Sequence, residues 1–126
     1  MTAAGDSWSV VLDRSDLELE ADWARLAAWW GDRFGKEPTV ESALFVVGLD
    51  ASGLGAPRRM TREEKQDAIM EGTFRVLETV GMYRRTDGAG WERTARSPVL
   101  STSDQEKLLR TGIIRYFATV MSESAQ

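Results

Sequence analysis

The chain has 126 residues, 42% of them apolar and 29% charged, with a formal charge of −4. These proportions fit one globular domain spanning 1–126, large enough to bury a core without staples. There is no cysteine and no histidine. Disulfides, thiolate nucleophiles, cysteine metal sites and any Ser-His-Asp triad are therefore excluded, and the commonest general base and metal ligand is missing.

The charge is uneven. Residues 1–50 carry ten acidic and four basic side chains, whereas residues 51–126 carry ten and twelve. The acidic total argues against general polyanion binding, and the second half leaves room for a local basic patch. MTAAGDSWSV lacks the basic leader and apolar stretch of a secretory signal. The longest uncharged apolar run is about seven residues, against the roughly 20 that span a bilayer. The sequence reads as a cytoplasmic protein.

In chain order, residues 1–14 read as an N-terminal arm, either a short strand around Trp8 and Val10 or an extended segment docking its Trp. Ser15 and Glu18 form a capping box that opens a helix over 17–34. Leu19, Trp23, Leu26, Ala27, Trp30 and Phe34 fall on its apolar face, with Trp29 off that stripe and Gly35 as the stop. Thr39 is the N-cap of the next segment. The run Ala43–Leu49 is apolar on every side, so periodicity cannot separate a buried strand from a buried helix.

Gly53, Gly55 and Pro57 mark a loop, and Thr61 with Glu64 makes a second capping box. A helix over 62–80 follows. Its apolar face is Ile69, Thr73, Val76, Leu77 and Val80, widened by Met70 and Phe74; Glu63, Asp67, Glu71 and Glu78 lie opposite. Residues 82–96 read as a β-hairpin turning at Asp87–Gly90. Thr102 or Ser103 caps a last helix over 104–121 with the stripe Leu109, Gly112, Ile113, Tyr116, Phe117 and Val120; 122–126 is a frayed tail.

Four features bear on chemistry. In LFVVGLDASGLGAPR, residues 44–58, an apolar run meets glycines, as in a phosphate loop. The Lys and hydroxyl of a P-loop and the third glycine of a dinucleotide turn are absent. A weaker anion site at Arg58, Arg59 and the start of helix 62–80 survives, beside the plainer reading of a glycine stop and a linker. The acidic row Glu63, Asp67, Glu71 and Glu78 could offer carboxylates to a hard metal, but its place opposite the apolar face reads as a solvated surface, and no metal or other cofactor is expected. The hairpin carries Tyr83, Arg84, Arg85, Trp91, Arg93 and Arg96, which allows a winged-helix-like nucleic-acid binder; Arg–Glu pairing across the strands is the structural alternative. Finally, five tryptophans are many for this length. Trp29, Trp91 and Tyr83 are candidate partner-binding aromatics, since aromatic residues and Arg are enriched at interfaces.

The stretch from Glu41 to Asp67, with its apolar run, Gly48, the G-x-G at Gly53–Gly55, Arg58 and the opening Glu64-Lys65-Gln66-Asp67, resembles a family of small bacterial proteins without an assigned activity. The likeness continues to Val80-Gly81 and the aromatic hairpin and covers about residues 17–92; Met82 stands where that family has Tyr. The resemblance implies that the apolar run is helical and implies no catalytic or binding residue.

The expected architecture is mainly α: a four-helix single domain, with helix 41–52 buried at its centre and a β-hairpin between helices 3 and 4. The expected function is a cytoplasmic protein-interaction module without catalytic activity, taking a protein partner or a second copy of itself. The nucleic-acid binder and the anion or nucleotide site stand as alternatives.

Overall fold

The computed structural model describes residues 7–52, 59–88, 90–94 and 100–124, the side chains of 7–9, 52, 123 and 124 excepted. These residues form five helices and a two-stranded hairpin: α1 (Ser7–Leu12), α2 (Asp16–Phe34), α3 (Val40–Ser52), α4 (Arg62–Thr79), β1 (Tyr83–Arg85), β2 (Trp91–Arg93) and α5 (Thr102–Ser124). None of these helices is long and apolar enough to cross a membrane.

The helix ends follow local chemistry. At α2, Ser15 Oγ accepts from the amides of Leu17 and Glu18, and Gly35 closes the helix at φ 76° with its N–H on the Gly31 carbonyl. At α3, Thr39 and Ser42 cap each other: the Ser42 amide donates to Thr39 Oγ1 (3.0 Å) and the Thr39 amide to Ser42 Oγ (2.8 Å). At α4, the Thr61–Glu64 box is complete, with bonds of 2.9 and 3.1 Å. Its far end is a Schellman turn: Gly81 at φ 81° donates to Glu78, and Met82 donates to Leu77. The β1–β2 pair is antiparallel, with Arg84 opposite Glu92.

The run that could be strand or helix is α3. It is buried at Ala43, Leu44, Val47 and Leu49, as a central helix needs to be. It crosses α4 with almost no side chain between them. A Cβ built on Gly48 would stand 1.8 Å from the Ala68 carbonyl oxygen, and one on Gly72 would stand 1.9 Å from that of Leu44. Gly112 of α5 meets the Val76 carbonyl in the same way, at 2.4 Å. Around these crossings Leu26, Trp30, Ala43, Leu44, Val47, Val76, Ile113 and Phe117 form the main core.

Several expectations are corrected. The arm over 1–14 contains a helix, α1; Trp8's side chain and residues 1–6 lie outside the described residues. Val11, 1% exposed, packs with Val80, Met82 and Leu108, while Lys107 Nζ donates to the carbonyls of Leu12 (3.0 Å) and Arg14. A cation on these terminal carbonyls satisfies the end of a short helix, whereas the only sheet among the described residues has no third strand for this segment to join. The buried line of α4 is Ala68, Gly72 and Val76, and Met70 is 59% exposed. The backbone of α3 selects small residues there, and hydropathy tracks large ones. Phe34, placed on the α2 core stripe by periodicity, is 46% exposed because it falls in the last turn, at the margin of the core. Ser101 caps α5 by accepting from the Asp104 amide (3.1 Å), and the helix continues to Ser124 rather than fraying at 122; 125–126 lie outside the described residues.

Candidate functional site

Three helices each contribute a pair of residues four apart, and so on one face, to a single groove: Trp29 and Arg33 from α2, Val46 and Asp50 from α3, Tyr116 and Val120 from α5. Phe117, 3% exposed, lies among them, with Tyr116 edge-on at 5.5 Å and Trp29 tilted at 5.8 Å. Phe34 completes the lining, its ring 4.6 Å from that of Trp30. The groove holds about 200 Å³.

Its polar groups sit at the edge. The Tyr116 phenol donates to Asp50 Oδ2. Burial, and then the hydrogen bond and charge of Asp50, push this phenol well above its ordinary value, so it stays protonated and holds the carboxylate in place. The Arg33 guanidinium lies over the Trp29 ring at 4.8 Å. A phenol held protonated in this way is a poor nucleophile. The groove is suited to holding an apolar group beside a fixed carboxylate.

The other candidate residues lie elsewhere. Trp91 and Tyr83 fold onto α4: Trp91 stacks on Phe74 at 5.7 Å and Tyr83 meets it edge-on at 5.0 Å. Arg75 and Arg85 lie over the Trp91 ring at 5.6 and 4.9 Å. Glu71 joins the set, accepting from Arg75 Nε (3.2 Å), Arg85 (3.1 Å) and the Trp91 indole (3.4 Å). The expected solvated row is thus broken at Glu71, which fastens the hairpin to α4. Arg84 pairs with Glu92 across the strands at 2.5 Å. Arg59 and Arg93 are exposed and make no ion pair among the described residues, whereas Arg58 and Arg96 lie outside them. No cluster of three or more metal-ligating side chains occurs among the described residues.

A second, charged hollow runs between the starts of α2 and α5 and is lined by Asp16, Glu20, Lys107 and Arg110 among others. Its cations are already engaged. Arg110 holds Glu20 through two contacts, at 3.0 and 3.4 Å, and covers the Trp23 ring; Lys107 pairs with Asp16 at 3.3 Å. The hydrogen bond from Arg110 and its charge hold the Glu20 carboxyl below its ordinary value. Partial burial works against ionisation of Asp22, but the bonds from Arg14 and Arg25 outweigh it and hold that carboxyl low as well.

Comparison with protein-family models, with curated proteins and with solved structures finds no match. Sequence reasoning found Trp29 but missed Phe34, Arg33, Val46, Asp50 and Tyr116 as its neighbours. Two signals pointed to Arg33 and Asp50: Trp29 and Arg33 share a helical spacing off the apolar stripe, and Asp50 is the one charge in the second half of α3.

Proposed function

We propose that the protein is a small interaction module without catalytic activity, and that it docks a protein partner in the groove between α2, α3 and α5. The observation that carries this reading is the exposure of Phe34, at 46%, beside Trp29 over an apolar floor. A large aromatic left accessible in the last turn of a helix, flanked by a second aromatic and an Arg, has the composition of an interface anchor. Among the three candidate aromatics, Trp29 is the one beside an apolar groove; Trp91 and Tyr83 are occupied with Phe74. The pairing of Arg84 with Glu92 and of Arg85 with Glu71 weighs against the nucleic-acid reading, since these cations are partly neutralised before any phosphate arrives.

A photo-reactive phenylalanine analogue at position 34, in the full chain expressed in its native cells, tests the proposal. A discrete cross-linked adduct is expected, and an adduct of two copies would make the partner the chain itself. Only unmodified monomer after irradiation would overturn the reading.

A further inference from the structure

The edge of the groove carries a specific charge pattern. Asp50 is exposed; its Oδ2 accepts the Tyr116 phenol, and its Oδ1 accepts no hydrogen bond among the described residues. An ionised carboxylate has about four acceptor positions, so unused capacity remains. The held phenol fixes the orientation of that capacity in advance. The other charge in the lining, Arg33, is spread over the face of Trp29. The helices that supply most of the walls, α2 and α3, come from the half of the chain with ten acidic and four basic residues. Within the lining itself Asp50 is the one carboxylate, so a cation delivered by a partner has this acceptor to meet.

Size narrows the occupant further. A volume of about 200 Å³ lies below the roughly 300–1,000 Å³ of small-molecule sites. It suits one large side chain delivered from a longer segment whose remaining atoms lie outside. Interfaces concentrate their energy in such single anchors.

We infer that the groove takes a protein segment that inserts one bulky apolar side chain and places a neighbouring Lys or Arg on Asp50 Oδ1. This rests on the groove being the docking surface, and it adds the chemistry of the segment. The ammonium or guanidinium donates to the free oxygen while the Tyr116 phenol holds the other. A segment with Glu at that position meets Asp50 as a like charge and is disfavoured.

The test uses the full chain, ¹⁵N-labelled, titrated with three acetylated and amidated tetrapeptides, Ala-Trp-Ala-Lys, Ala-Trp-Ala-Gln and Ala-Trp-Ala-Glu, and separately with tryptamine. The Lys peptide is expected to shift the amides of Val46–Asp50 and Tyr116–Val120 and to bind about two- to five-fold more tightly than the Gln peptide, as one exposed ion pair allows. The Glu peptide should be weakest. The preference should vanish in Asp50→Asn, which still accepts from Tyr116. Equal affinity for all three peptides would overturn the charge selection and leave the docking groove standing. Failure of every peptide to move these amides would overturn the groove itself. Binding of tryptamine without any peptide would make this a small-amine site and overturn the inference of a protein segment.

Discussion

Gly48→Ala should be among the most damaging single-methyl additions in this chain. The new Cβ would stand 1.8 Å from the Ala68 carbonyl oxygen, where ordinary contact begins near 3.4 Å, so α3 and α4 must separate by about 1.6 Å. The obstacle is backbone, with no flexible side chain to turn aside. Alanine gains about 1 kcal/mol over glycine in a helix interior. Overpacking a tight core costs about 1–3 kcal/mol, and more when helices must shift. Here the shift also loosens Leu44, Val47 and Val76, all buried along the same crossing. A net loss of about 2 kcal/mol follows, or about 8 °C in Tm for a chain of this size. Gly31→Ala in α2 is the internal control: its Cβ would meet nothing within 4 Å among the described residues, and its φ is not positive. It should stabilise by about 0.5–1 kcal/mol. Thermal unfolding followed by circular dichroism reads both. A Gly48→Ala variant that melts no lower than Gly31→Ala would refute the close-crossing account of the core.

Three further outcomes are expected. Thr111 is fully buried and its hydroxyl has no partner among the described residues, so Thr111→Val should raise stability by about 1 kcal/mol in urea unfolding; a loss would mean that the hydroxyl is satisfied after all. Glu71→Ala should free the hairpin from α4, accelerating amide exchange at Thr86 and Thr94 at a cost of about 1 kcal/mol because the pairs are partly exposed; unchanged exchange at both amides would exclude Glu71 as the fastening point. Glu20 and Asp22 both have depressed folded-state pKa values, so their contribution is present above the unfolded values of 4.5 and 3.8 and is lost as pH falls through the lower folded ones. The urea midpoint should hold steady down to about pH 5 and fall below it, and Arg110→Ala should flatten the part of that fall due to Glu20; an unaltered acid limb would contradict that assignment.

Much of the fold was readable because its signals are local. The Ser15 N-cap, the Thr61 capping box, the stops at Gly35 and Gly81, and the glycines Gly88 and Gly90 between the strands each act through neighbours a few residues away, and each marks an element boundary to within a few positions; of the box expected at Ser15 only the Ser15 half forms, since Glu18 pairs with Arg14 instead. What escaped was non-local. Gly48 looked like part of a loop motif, yet its role is set by Ala68, twenty positions on and on another helix. Glu71 looked solvated because its three donors arrive from Arg75 and from the hairpin. α1 alternates apolar and polar residues too briefly to declare a period, and its helix is fixed by Val11 packing and by Lys107 on α5. Of the site, Trp29 stood out by breaking its own helix's pattern, whereas Val46, Asp50, Tyr116 and Val120, which close the groove around it, come from two other helices.

We propose that the α2–α3–α5 groove, and not the hairpin, is the working surface. The five tryptophans allow the two to be compared in one sample. In the full chain labelled with 5-fluorotryptophan, ¹⁹F NMR in a concentrated extract of the native cells should broaden or shift the Trp29 resonance and leave that of Trp91 in place. A response at Trp91 with Trp29 unchanged would contradict the account.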